Sequence, residues 1–129
     1  FYHPISLLLH LKNHQMDLKE RIEAFAELGA IVRKSLPDKK ESHKSALSLL
    51  INTQYLKNAW FTPENVGAAL SAIANELNTE TLTRWTDMYP ELKSDGKPFT
   101  VGVIMAGNIP LVGFHDILCV LITGNIAIL

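Results

Sequence analysis

Residues able to do chemistry are sparse in this 129-residue chain, and most of them gather toward its end. Asn108 stands in Gly107-Asn108-Ile109-Pro110, a run of turn-forming residue types in which asparagine tolerates backbone angles that most side chains refuse. His115 follows seven residues later. On one continuous helix that spacing is nearly two turns, so the imidazole would share a face with Asn108 and could approach whatever Asn108 meets. A core histidine bonded to a neighbour is the other reading of His115, and Asp116 beside it does not face it across a turn. Cys119 is the single cysteine. A thiol attacks as the thiolate, yet Leu118, Val120, Leu121 and Ile122 give this one an apolar setting, so it reads as a small buried hydrophobe and not as a nucleophile. Near the other end, His10 and His14 are four apart and could hold a metal from one helix face. No third ligand stands at a clear spacing, so no metal is expected; His14 and Asp17 read more simply as a solvated face and a helix cap.

The elements around Asn108 decide whether it can meet a ligand. Residues 101–106, Val-Gly-Val-Ile-Met-Ala, form a short apolar run rich in β-branched side chains, which predicts a strand buried on both faces within a parallel sheet. Residues 107–110 then turn the chain, with Pro110 placed to begin a helix that runs to Thr123. Gly124 and Asn125 both suit the left-handed position just past a helix end, and residues 126–129 read as the next strand. Strand, glycine-containing turn, helix and strand make a βαβ unit, whose ligand site lies at the carboxyl ends of the strands. Function is therefore expected at the turn of residues 106–110.

Ahead of this unit the periodicity is helical. Asp17 with Glu20 three residues on matches a capping box, and Leu18, Ile22, Phe25, Ala26, Leu28 and Val32 repeat at helical spacing until Arg33, Lys34 and Pro37 close the segment. A second helix is predicted over residues 42–60, with Ala46, Leu49, Leu50, Leu56 and Trp60 apolar. The third has Thr62 as N-cap, Pro63 at the first helical position, Glu64 at the positive end of the dipole, and Val66, Leu70, Ile73 and Leu77 as its buried stripe. Thr79 can cap a fourth through Leu82, Trp85 and Met88, which Pro90 ends. Trp60, Phe61 and Trp85 are expected to pack in the core, and Lys39, Lys40 and Lys44, offset by Asp38 and Glu41, to be surface charges.

All but one of the charged residues fall in residues 1–98; residues 99–129 carry only Asp116. The polar stretch of residues 92–98, with its Asp-Gly turn signal and a proline, marks the boundary between a mainly helical region (1–98) and the αβ unit (99–129), which are expected to form one structural unit. Apolar residues at 47% and charged residues at 19% exclude disorder, coiled coils and collagen-like repeats. A net charge of -1 gives no drive toward nucleic acid or anionic lipid. Pro110, His115, Asp116 and the Gly124-Asn125 pair interrupt the apolar end of the chain, so no span long enough to cross a membrane is expected. No signal peptide is visible and the lone cysteine suits a reducing compartment, so a cytoplasmic location is expected. A first residue Phe1 and an ending inside Ile126-Ala127-Ile128-Leu129 lead us to expect a piece of a longer protein, with exposed strand edges that favour a homo-oligomer.

Residues 101–111, followed after one helix by Gly124-Asn125-Ile126-Ala127-Ile128-Leu129, resemble the aldehyde dehydrogenase superfamily, in which a strand leads into an Asn-x-Pro-Leu turn, a helix, Gly-Asn and the next strand. More narrowly, Ala106-Gly107-Asn108-Ile109-Pro110-Leu111-Val112-Gly113-Phe114-His115-Asp116 resembles the acyl-CoA reductases of the LuxC type. Residues 61–65, Phe-Thr-Pro-Glu-Asn before a helix, are similar to that family as well. The resemblance implies an α/β fold: a helical region followed by the first strand-helix-strand unit of an aldehyde dehydrogenase-like cofactor-binding domain, truncated. It implies a reaction in which a cysteine thiolate takes the acyl group from an acyl-CoA and a nicotinamide hydride, from NADPH or NADH, reduces the thioester to an aldehyde. Asn108 matches the asparagine whose side-chain amide stabilises the oxyanion, and an uncharged donor suits that task because no proton must be managed. Met105, Ala106, Gly107 and Asn108 match the stretch lying against the cofactor, although Gly107 stands where many members carry a tryptophan. No Gly-x-Gly-x-x-Gly fingerprint occurs, as the superfamily leads one to expect. The resemblance also places the nucleophile and a cofactor-ribose lysine beyond Leu129, so that the chain alone is expected to be catalytically silent. A reading from a different class is a non-enzymatic helical interaction module that docks through its apolar C-terminal segment.

Overall fold

Helix α1 (Leu18–Ser35) begins where the sequence predicts, because both arms of the capping box close. The Asp17 carboxylate accepts from the Glu20 N–H and the Glu20 carboxylate from the Asp17 N–H, each at 2.8 Å. Leu36, which precedes a proline, is extended, as the ring of a following proline demands. The computed structural model describes residues 16–36, 46–93 and 96–129. His10, His14 and residues 37–45, with their lysines, therefore lie outside the described residues.

Helix α2 (Ala46–Thr53) ends before residue 60, the limit predicted for the helix of residues 42–60, and a 3₁₀ turn (Gln54–Leu56) follows it. The cause is local. Asn52 Nδ2 donates to the Ser48 carbonyl at 2.7 Å and Thr53 Oγ1 to the Leu49 carbonyl at 2.9 Å, polar side-chain bonds that compete with helix continuation. The stripe expected from Leu49, Leu50, Leu56 and Trp60 is exposed, Leu49 and Leu50 even within α2; Trp60, expected in the core, is 69% exposed, while Ile51 is the residue α2 buries. Phe61 is half-buried against the core, as expected.

Helix α3 (Pro63–Glu76) starts on the predicted signal, with Thr62 Oγ1 accepting from the Asn65 N–H at 3.2 Å. Helix α4 (Thr79–Thr86) starts one residue earlier than expected: Asn78 is its cap, accepting from the Thr81 N–H at 2.8 Å, and Thr79 is its first helical residue. Asparagine is the stronger cap of the two. Because α4 ends at Thr86, Met88 misses the apolar stripe and is exposed, and Pro90 opens a 3₁₀ turn (Pro90–Lys93).

Two apolar clusters hold these helices, and α1 and α3 cross both. Ile22 of α1 meets Leu77, Leu82 and, from the last helix, Leu118 and Ile122, with Phe25, Ile73 and Trp85 packed around them. Val32, further along α1, meets Ile51, Val66, Leu70 and Ala74. Full burial of a leucine or isoleucine is worth about 1.5–3 kcal/mol, so Leu77, Leu82 and Ile122, all essentially inaccessible, are leading contributors. The approach of α1 to the end of α3 is close enough to require glycine: a Cβ on Gly29 would stand 2.6 Å from the Leu77 Cβ. Two arginines of α1 also close other helices. Arg33 donates to the carbonyls of Ala74 and Leu77 at the end of α3, and Arg21 Nε donates to the Ile122 carbonyl at 2.8 Å. A cation at a helix C-terminus satisfies open carbonyls and the negative end of the dipole together.

The chain after residue 98 gives the α/β character. Strands β1 (Thr100–Gly102) and β2 (Ile126–Ile128) pair in parallel, with Thr100 opposite Ile126 and Gly102 opposite Ile128, and helix α5 (Phe114–Ile122) joins them. The parallel pairing is as predicted, but β1 is three residues long instead of six and is not buried on both faces; Ile104 is 101% exposed. Val101, at the middle of the strand, is half-buried, and the backbone pairing extends only as far as the Val103 N–H, which donates to the Ile128 carbonyl at 2.8 Å. Past α5, Gly124 (φ 84°) takes the left-handed position, its N–H donating to Leu121 and that of Asn125 to Val120, a Schellman ending. Asn125 is not left-handed. Its side chain serves β1 instead, Oδ1 accepting from the Phe99 N–H at 2.8 Å. No described helix is long and apolar enough to cross a membrane.

Candidate functional site

The turn that leaves the carboxyl end of β1 is pinned at three places. Met105 folds its side chain over Gly113, where even a Cβ would overlap it, so the two ends of the turn meet. Leu111 adopts φ 58°, a left-handed conformation that costs a leucine about 1–2 kcal/mol and stops any helix through it. That angle explains why Pro110 does not open α5 as expected: a turn closed by the Phe114 N–H on the Leu111 carbonyl at 2.9 Å comes first, and the helix starts at Phe114 with Gly113 as cap. The third pin is distant in sequence. Asn58 Nδ2, in the loop between the first 3₁₀ turn and α3, donates to the Gly107 carbonyl at 2.7 Å.

Asn108 itself is exposed, and among the described residues its side-chain amide has no protein partner. Ala106 and Gly107 are exposed too, and nothing lies within 4 Å of where a Gly107 Cβ would be, so the backbone of residues 106–108 is open to an approaching molecule. Met105 is partly committed to packing on Gly113. The four residues 105–108 thus lie together on one uncovered turn at the carboxyl end of a parallel strand, the position from which such units address ligands.

His115 is not part of that group. Asn108 precedes α5 by a full turn structure, so the two do not share a helix face, which corrects the expectation drawn from their spacing. The imidazole instead lies 5.9 Å from the Trp85 ring, centre to centre, and its Nε2 is 3.6 Å from Cys119 Sγ one helical turn on. Cys119 is half-buried, not fully buried as its neighbours suggested. Burial, and after it the Asp116 carboxylate, push its thiol up from the ordinary cysteine value, away from the thiolate form that attacks. Among the described residues no three histidine, cysteine or acidic side chains converge as a metal site.

Two cavities open among these elements. One of about 360 Å³ lies between the end of α3 and the start of α5, beside Leu111 and His115. The other, about 1130 Å³, opens at the amino ends of the strands, between the start of α1, α4 and Phe99. Several of its charged side chains are engaged: Asp17 in the capping box, Arg21 on two carbonyls, Lys19 with Glu23 at 3.7 Å. Size alone does not make it the chemical site, and the unpartnered amide lies at the other end of the strands.

Sequence reading had no signal for Asn58, which fell inside a predicted helix, nor for Arg21 and Arg33, whose acceptors are remote in the chain. The left-handed Leu111 was equally hidden, since leucine is not a residue type that announces positive φ. Compared with protein-family models, with curated proteins and with solved structures, the chain gives no match.

Proposed function

We propose that the chain is the N-terminal part of an acyl-CoA reductase of the LuxC type, in which Asn108 donates its side-chain amide to the oxyanion of the acyl group and residues 105–108 lie along the nicotinamide cofactor, NADPH or NADH. The observation that carries this reading is the exposed Asn108 amide, unpartnered among the described residues, on a pinned turn at the carboxyl end of β1. A donor with no protein partner is available where negative charge develops, and a turn fixed at both ends loses little on reorganisation when that happens. When bound, the nicotinamide supplies the hydride that reduces the thioester carbonyl. The open backbone over Gly107 leaves room for it against residues 106–108. The raised, half-buried Cys119 thiol suits the assignment of the nucleophile to a cysteine outside this chain. The enzyme so read works as a cytoplasmic homo-oligomer.

The test is to supply the full-length enzyme with a series of saturated acyl-CoA thioesters and NADPH or NADH, trapping the acyl-enzyme and following aldehyde. Release of coenzyme A with a trapped thioester is expected, and Cys119→Ala is expected to be acylated as the parent is. A Cys119→Ala enzyme that folds but cannot be acylated removes the placement of the nucleophile outside this chain.

A second reading rests on a different observation. Phe99, Ile104, Ile126, Ile128 and Leu129 all expose apolar surface around a two-stranded sheet. A non-enzymatic module could dock through that surface. An enzyme extending past Leu129 would cover it with its own residues, so acylation by the full-length protein separates the two.

A further inference from the structure

We propose that Asn58 is the positioning residue for Asn108: it fixes the peptide plane from which the Asn108 side chain departs. The inference deepens the reading of Asn108 as an oxyanion donor and, in its catalytic half, rests on that reading.

Every hydrogen-bonding group of Asn58 is engaged. Its backbone N–H donates to the Gln54 carbonyl at 3.0 Å and its carbonyl accepts from the Phe61 N–H at 2.9 Å. Its side-chain Oδ1 accepts from the Trp60 N–H at 3.1 Å, and its Nδ2 donates to the Gly107 carbonyl at 2.7 Å. The first partner is a donor and the second an acceptor, so the amide can sit only one way round. The loop holding Asn58 is itself fixed: Asn65, inside α3, donates through Nδ2 to the Trp60 carbonyl at 3.0 Å. A rigid helical region thereby reaches across 49 residues to one atom of the turn.

That atom is the informative one. The Gly107 carbonyl and the Asn108 N–H belong to one planar peptide unit, so holding the oxygen restrains the plane and leaves only the φ of Asn108 between that plane and its Cβ. Gly107 would otherwise be free to swing the plane, since it has no Cβ and nothing packs over it. Met105 on Gly113 and the left-handed Leu111 close the turn but do not set this plane.

Asn58→Asp separates tether from fold. Aspartate still accepts from the Trp60 N–H, but it cannot donate to the Gly107 carbonyl. In nuclear magnetic resonance of this chain, the Gly107 carbonyl carbon and the Asn108 amide are expected to shift, with order parameters at residues 107 and 108 falling from about 0.85 toward 0.6, while signals of the two apolar clusters stay in place. Asn58→Ala, which loses both side-chain bonds, is the second variant and is expected to loosen residues 107 and 108 at least as much. In the full-length enzyme, with the acyl-CoA series as substrate, Asn58→Asp is expected to lower the acylation kcat by about 10- to 10²-fold with KM held, as misplacement of a group used only in the transition state does. Unchanged Gly107 and Asn108 signals in both variants would overturn the tether. Loosened signals with normal acylation would overturn its role in positioning. Absence of acylation in the parent enzyme would remove the reading of Asn108, and the resonance measurement would then decide the tether alone.

Discussion

The helical frame and the strand-turn unit differ in what covers them. In the frame, Leu77 and Ala74 are wholly inaccessible, glycine is needed where α1 meets α3, and arginines close helix ends. In the strand-turn unit Ile104 is fully exposed and Phe99, Ile126, Ile128 and Leu129 largely so. One part has a finished core; the other borrows its order from it, through Leu118 and Ile122 in the first cluster, Arg21 on α5 and Asn58 on Gly107. If the proposed function holds, stability and chemistry are separable here: substitutions in the frame should act on folding, and those in the turn on a ligand.

Leu77→Ala should break the frame most severely. It empties an inaccessible site at the junction of α1 and α3, and a loss of about 2–5 kcal/mol is expected by urea denaturation. Ile104→Ser, by contrast, should fall within about 0.5 kcal/mol of the parent. Equal losses would contradict the division. Arg21→Met sharpens it, because it removes the bond from α1 to the Ile122 carbonyl while keeping much of the aliphatic stem. A charged donor's bond is worth about 1.5–3 kcal/mol, and the lower end is expected for a partly buried one, with α5 and the sheet losing protection in hydrogen exchange before α3 does. The uncovered strands predict a further property: sedimentation of this chain at rising concentration should show self-association, and a clean monomer at high concentration would count against it. The smallest effect is at Cys119. Its thiol is raised in the folded protein, so its share of stability is whole below the unfolded thiol's pKa and drains away as pH rises through the folded value. Alkaline denaturation should therefore steepen with pH, and Cys119→Ala should flatten it; identical slopes would deny the shift.

Much of the frame was legible because its signals are local. Asp17 with Glu20, Thr62 with Pro63, and Gly124 each complete their cap within a few residues, so the spacing alone specifies the bond. Parallel pairing of residues 100–102 with 126–128 was legible too, from apolar runs separated by a helix. What stayed hidden depends on distance or on competition. The end of α2 is set by Asn52 and Thr53 bonding back to carbonyls, against an apolar pattern that continues through Trp60. The cap of α4 is Asn78 and not the expected Thr79, a start that residue type alone favours, since asparagine is the stronger cap. At the site, a turn after a strand was legible in residues 107–110, but Met105 and Ala106 were expected inside a buried strand and are exposed instead, and the delayed start of α5 and the Asn58 tether arise from a backbone angle at Leu111 and from a contact across the fold. The pairing of His115 with Asn108 failed for the same reason, since it assumed a helix that Leu111 forbids.

The most direct test of the proposed oxyanion role compares Asn108→Ala with the parent in a pre-steady-state acylation assay on the full-length protein, read beside the urea midpoints of both. Loss of a single oxyanion donor should slow acylation by about 10²- to 10³-fold, roughly 2.7 to 4 kcal/mol, while the midpoint scarcely moves because an exposed turn side chain leaves no cavity. Near-normal acylation by Asn108→Ala, or a fall in acylation matched by a fall in the midpoint, would contradict it.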